Sequence, residues 1–297
     1  MLIDANNLFM RARFATMRES MSADGESTAT LTVFSDGIAR HIRTERPDRL
    51  AVCWDGGGSA YRLRLLKTYK GNRRSHQRQK YGLPASEDFR TERDQVREFL
   101  ALANLFQIML PGFEADDLIG RYWFDAEEDV LIVSNDKDFF QLAGKNPQGR
   151  QTRLLRLSSG GAPNEYWDAD RVFKHTGVAP RHIPSWMALT GDEGDDVPGV
   201  PGVGPKRART ALQDAHWSLS AIEDPAIRQA HAQVVLSRLL VNLRLPVPDL
   251  SLAYPPRLDP TGTHSALYAE FAGFLQRYRM ARTTGRLIAG TLWSTDE

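Results

Sequence analysis

A single cysteine, Cys53, is all that 297 residues contain. An intrachain disulfide and a cysteine-built zinc site are thereby excluded, and the pattern fits a reducing compartment. Long apolar runs are missing as well. None approaches the roughly 20 residues needed to cross a bilayer, and Met1–Asp4 has neither the basic nor the apolar region of a signal peptide. The expectation is a soluble, cytoplasmic monomer without membrane contact. An excess of one charge is missing too, since 38 Lys and Arg face 37 Asp and Glu for a net of +1. That balance says nothing about partners, but its distribution does. Between Gly56 and Ser86 there is no acid, while Arg62, Arg64, Lys67, Lys70, Arg73, Arg74, Arg78 and Lys80 crowd together. A block of that sign suits a polyanion better than a core.

What is there begins with core material: 41% of the residues are hydrophobic, enough for one large domain or two coupled lobes. Short apolar runs alternate with helical patterns, the signature of a mainly parallel sheet. Strands are expected at Met1–Ile3, Leu50–Trp54, Phe106–Leu110 and Val130–Val133, with a further one at Gln151–Leu157. Leu31, Phe34, Ile38 and Ile42 recur at helical spacing, which predicts a helix over 30–44. Helices are also predicted over 92–105 and 115–124. After about residue 160 helices dominate, at Trp167–His175, Ile183–Leu189, Pro205–Gln213 and Ile227–Leu243. The chain therefore reads as an α/β lobe over 1–160 followed by a helical lobe over 161–297.

Acids fall where the strands end. Asp4 and Asp55 close the first two strands, Glu114 follows the third, and Asp136 and Asp138 follow Val130–Ser134. The carboxyl ends of parallel strands face the ligand crevice, so these acids are expected to converge. Asp116 and Asp117 stand on the first turn of the next helix, where its dipole favours negative charge. So many carboxylates repel unless a cation joins them, and hard oxygen ligands select Mg²⁺ or Mn²⁺ over zinc. A cleft that holds two such ions suits phosphoryl transfer. One Asp after a strand is ordinarily a turn or capping residue; Asp4, Asp55, Glu114, Asp116, Asp136 and Asp138 together are not explained that way.

Gly191–Ala208 reads GDEGDDVPGVPGVGPKRA. It fails as a P-loop, because Pro205 precedes Lys206 and no Ser or Thr follows the lysine. A glycine turn feeding a helix remains, with amides that suit a phosphate and with Lys206, Arg207 and Arg209 adding charge. Asp192 and Asp195 lie immediately upstream, within reach of the acidic cleft. The basic block follows strand-end Asp55, a position that favours contact with a nucleic-acid backbone.

LIDANNLFMRARF, WDGGGSAYRLRLLKTYKGNR, FEADDLIG, SNDKDFFQL and the glycine segment, in that order over Leu2–Ala208, resemble the 5′→3′ exonuclease/flap endonuclease family. Its nearest branches are bacteriophage exonucleases and the 5′-nuclease domain of bacterial DNA polymerase I, and SRLLVNLRLPVP (Ser237–Pro248) resembles a later segment. The resemblance implies an α/β, PIN-like, mainly parallel sheet flanked by helices. It also implies a helical arch over about 58–88 and, near 185–215, a helix–three-turn–helix duplex-binding element. Carried over residue by residue, Asp4, Asp55, Glu114 and Asp116, with Asp117 beside them, would form one Mg²⁺ group. Asp136, Asp138, Asp192 and Asp195 would form the second, with Mn²⁺ able to substitute. Lys70 and Arg73 would contact the scissile phosphate, with Tyr69 and Arg74 beside them and Arg11 near the first motif. Gly199, Gly202, Gly204, Lys206 and Arg207 would meet the duplex, where relatives also bind K⁺ through carbonyls.

Two departures stand out. Asp196 replaces the Asn usual in relatives, and the first strand is shorter than in relatives, which leaves open a native start upstream of Met1. The resulting expectation is a free-standing, Mg²⁺-dependent, structure-selective 5′ nuclease acting on 5′ ends and flaps of DNA. An RNase H-like remover of primers from RNA–DNA hybrids shares the same carboxylates. A non-catalytic branched-DNA-binding protein is the rival of another class, distinguished by an incomplete ligand set.

Overall fold

The computed structural model describes residues 1–16, 22–23, 26–72, 89–158, 162–248, 250–258 and 265–280. Two compact units each draw on separate stretches of chain. One comprises Met1–Trp54, Asp88–Met109 and Ala253–Glu297; the other comprises Asp55–Glu87 and Leu110–Leu252. Packing thus groups the chain differently from the change of sequence texture near residue 160.

In the first unit, β1 (Leu2–Asp4) is followed by a short antiparallel pair, β2 (Ser22–Ala23) and β3 (Glu26–Ser27). The central strand, β4 (Ala51–Trp54), pairs in parallel with β1 on one side and with β5 (Gln107–Met109) on the other. Every residue of β4 is buried, which is why the strand is a continuous apolar run rather than an alternating one. Helix Ala29–Glu45 buries Leu31, Phe34, Ile38 and Ile42 along one stripe and stops at Arg46, which turns left-handed at φ 43°. Phe34 stacks on Trp54 with centroids 6.3 Å apart. Truncating such a buried ring costs about 3–5 kcal/mol. Helix Arg90–Leu102 packs against Ser265–Arg277 through Phe99, Phe271 and Phe274.

The second unit contains β6 (Val130–Val133), β7 (Gly144–Lys145), β8 (Gln151–Arg156) and β9 (Glu165–Trp167), with β6 parallel to β8 and with β7 and β9 antiparallel to it. Its helices are Ala60–Leu65, Ala115–Asp125, Ala169–Thr176, Ile183–Thr190, Pro205–Asp214, Pro225–Gln229 and His231–Val241. Two expectations are corrected here. Trp167 is not helical: it pairs with Leu154, and Asp168 caps the helix behind it by accepting from the Arg171 N–H at 2.8 Å. The single helix expected over Ile227–Leu243 is two. Asp224 and Pro225 start the first, Ala230 ends it, and the second stops where the Asn242 side chain accepts from the Arg244 N–H. Ile183–Thr190 and Pro205–Asp214 share an apolar core with Leu189, Val200, Val203, Ala208 and Leu212 fully or almost fully buried. Among the described residues no helix is long and apolar enough to cross a membrane.

Candidate active site

Asp55, the first acid of the second unit, is held by a glycine. Gly56 crosses the Leu110–Phe113 segment so closely that any Cβ would overlap the Leu110 carbonyl, and its N–H donates to the Phe113 carbonyl at 2.8 Å. Asp55 Oδ1 then accepts from the Ala115 N–H at 2.8 Å, an anion set on a helix N-terminus. Glu114 and Asp117 close the same end reciprocally as a capping box.

Three side chains reach Glu114 from one short segment. Ser59 caps helix Ala60–Leu65 and so aims Arg62 inward, where only 3% of it is exposed. Arg62 donates to Glu114 at 3.2 Å and to the Leu240 carbonyl at 2.7 Å, and pairs with Asp117 at 2.7 Å. The Tyr69 hydroxyl donates to Glu114 at 3.1 Å. Lys70 Nζ donates to Glu114 at 2.9 Å and lies 3.3 Å from Asp195. Burial pushes the Glu114 carboxyl up, yet Lys70 and Arg62 outweigh it and hold the group below its usual range. Asp117 goes the other way: burial dominates over Arg62 and raises it. For Lys70, burial disfavours the charge, but Asp116, Tyr69, Glu114 and Asp195 together push the ammonium pKa upward.

The second set of acids meets from two loops. Asp136 accepts from the Asp138 N–H at 2.9 Å and is itself held by Ser134. Asp192 accepts from the Gly194 N–H at 3.0 Å, and the loop is closed by paired bonds between Asp192 and Val197. Lys137 pairs with Asp192 at 2.8 Å. Asp138 Oδ1 is buried with no hydrogen-bond partner. Burial, then Asp136, Asp192 and Asp195, raise the Asp138 carboxyl well above its usual range, with Lys137 opposing. Arg62, Tyr69, Asp116, Asp138, Asp192 and Asp195 line one cleft together with Val197, Leu240, Val241 and Leu243.

Asp116, Asp136, Asp138, Asp192 and Asp195 thus gather in this unit, with Glu114 tied to Asp195 through Lys70. Among the described residues no three His, Cys, Asp or Glu side chains form a ready cage for a metal; the carboxylates are drawn to Arg62, Lys70 and Lys137 instead. Asp138 fits a hard cation best, an orphaned oxygen among like charges. Asp117, expected beside the metal group, turns inward to Arg62 and the Glu114 N–H. Tyr69, expected at the nucleic acid, is 6% exposed and faces Glu114. Asp4 and Arg11 belong to the other unit, where Asp4 ends β1 and accepts from the Asn7 N–H at 3.0 Å. Arg73 and Arg74, with most of the expected arch, lie outside the described residues. In the sequence Arg62 is one more member of the basic block; its one local signal is the Ser59 cap three residues before it.

The glycine turn has a division of labour. Gly199 packs so tightly that a Cβ would overlap the Thr190 carbonyl. Gly202 is left-handed at φ 73°, which an L side chain adopts at a cost. Gly204 is extended, with open space where a Cβ would sit. Lys206 beside it is exposed. Arg207, expected at the duplex, makes a bidentate pair with Asp224 at 2.7 and 3.0 Å.

Residues 1–177 match the model of the 5′-3′ exonuclease, N-terminal resolvase-like domain. DNA polymerase I of Mycobacterium bovis is 31% identical over 277 residues, covering 88% of this chain but only 29% of the polymerase. A 5′-3′ exonuclease of Streptomyces coelicolor is 29% identical over 302 residues, covering 93% of this chain and 98% of that one. The bacteriophage T5 D15 flap endonuclease, solved as a pseudo-enzyme-product complex with DNA and metal ions, superposes with a TM-score of 0.65 at 17% identity over 98% of both chains. The last of these carries the fold: a mostly parallel sheet flanked by helices, as in PIN-like nucleases. By its match over residues 1–177, this chain belongs to the 5′-3′ exonuclease family.

Proposed function

We propose that this chain is a divalent-metal-dependent, structure-selective 5′ nuclease that hydrolyses phosphodiesters at 5′ ends and 5′ flaps of DNA. The observation that carries the reading is the cleft where Asp116, Asp138, Asp192 and Asp195 meet beside Lys70. Asp136, Asp138, Asp192 and Asp195 would hold a hard cation, Mg²⁺ by preference, with Asp116 and Asp55 toward a second. Asp4 and Glu114 join Asp55 and Asp116 in that second group on the resemblance alone. Bound there, divalent ions activate water and offset charge on the transferring phosphoryl group.

The chain's own residues do the rest. Arg62 holds Glu114 and Asp117 fixed from behind, too buried to meet a substrate. Lys70 stands between Glu114 and Asp195 with a charge reinforced by its surroundings, and there it would balance a phosphoryl group. Val197, Leu240, Val241 and Leu243 complete the lining of the cleft. The turn at Gly202–Gly204 offers backbone to a duplex phosphate, with K⁺ on its carbonyls as part of the same proposal. A labelled 5′-flap, a nicked duplex and an RNA–DNA hybrid, each incubated with Mg²⁺ and with EDTA, test it. The expected result is metal-dependent release of short 5′-phosphorylated products from the DNA flap. No cleavage of any of the three with Mg²⁺ or Mn²⁺ would overturn it and favour a branched-DNA-binding role.

A further inference from the structure

Lys70 and Asp196 are both left-handed, at φ 54° each, a conformation that residues with a side chain keep only when their surroundings impose it. The contacts that impose it join the two segments to each other. The Lys70 N–H donates to the Asp195 carbonyl at 3.0 Å. The Asn72 N–H donates to Asp196 Oδ2 at 2.9 Å, and Asn72 Nδ2 donates to Asp196 Oδ1 at 3.0 Å. One side of this clasp is rigid, because paired bonds between Asp192 and Val197 close the loop that carries Asp196. Both Asp196 oxygens accept, so an amide there would keep both bonds only if the Asn72 amide turned over to present its oxygen, and would lose the charge that strengthens them.

We propose that Asp196 and Asn72 are positioning residues. Their clasp fixes the backbone of Lys70 so that its Nζ stands between Glu114 and Asp195, and the cleavage rate depends on this pair although neither side chain reaches the cleft. The inference rests on the nuclease reading above, and two independent measurements separate the two. The first is amide hydrogen exchange of the protein in EDTA. Asp196→Ala should speed exchange at Lys70 and Asn72 at least tenfold with only a small loss of Tm, and Asp196→Asn should fall between it and wild type. The second is a kinetic cycle on a 5′-flap with Mg²⁺. Asp196→Ala should lower kcat about tenfold with KM within twofold, and should lower it no further in a Lys70→Ala background. Should Asp196→Ala fold poorly, Asn72→Ala loosens the same clasp from the other side and should show the same background dependence. Unchanged exchange at Lys70 and Asn72, or an equal loss of kcat in both backgrounds, overturns the proposal. An inactive wild type counts against the nuclease reading instead, and the exchange result then decides the clasp.

Discussion

Asp138 carries the buried oxygen on which the metal reading turns. Asp138→Asn keeps the shape of the side chain and removes a charge crowded by Asp136, Asp192 and Asp195. Single-turnover cleavage should fall about a hundredfold or more, while the folded protein becomes no less stable. Cleavage at the wild-type rate would remove this acid from the metal group. Arg62 gives the opposite pattern. Arg62→Met leaves Asp117 a buried carboxylate without its cation, while Glu114 keeps Lys70 and Tyr69; this costs about 3–5 kcal/mol in urea unfolding measured at neutral pH. A loss below about 1 kcal/mol would mean that water or another cation replaces the guanidinium. The contrast also marks what a sequence reveals. Asp138 is legible because it follows a strand end, where a parallel sheet opens its crevice. Arg62 is not, because its anchor is the Leu240 carbonyl, 178 residues away. Nor does spacing alone tell that Asp117 turns inward while its neighbour Asp116 lines the cleft.

At the scale of elements, the glycine turn separates packing from contact. Gly204→Ala meets nothing in the protein, so its Tm should stay within a degree or two of wild type. If a duplex phosphate approaches the backbone there, affinity for a nicked duplex, measured by fluorescence anisotropy in EDTA, should drop severalfold. Gly199→Ala should instead destabilise the whole element, because its Cβ overlaps the Thr190 carbonyl. Full affinity in Gly204→Ala would move the duplex contact elsewhere. Lys206→Ala should weaken binding evenly across sequences and lower the salt slope by roughly 1. Arg207→Ala should change it less, since Asp224 already pairs with that charge. Helix Pro205–Asp214 was legible from its proline start and glycine approach. The break at Ala230 was not, because apolar periodicity runs through it and neither a glycine nor a proline marks it.

At the scale of the whole molecule, stability toward acid has a source far from the acidic cleft in sequence. His41 lies on helix Ala29–Glu45 and is 5% exposed. Burial, aided by Arg40, lowers its pKa from 6.5 to about 4. In the folded chain the imidazole is therefore neutral down to about pH 4, whereas in the unfolded chain it takes up a proton near 6.5. The unfolded state binds more protons in that window, so stability falls as pH falls through it and is unaffected above it. The loss at pH 4 amounts to roughly 3 kcal/mol at most. Carboxylates such as Glu114, held low by Lys70 and Arg62, add a loss of the same sign at lower pH. Comparing wild type with His41→Gln isolates the histidine, because the carboxylates are common to both. The difference in urea midpoint between the two should stay constant from pH 8 to 7 and then shift against wild type between pH 6.5 and 4. A difference that stays constant down to pH 4 would mean that His41 takes up its proton without disturbing the core around it.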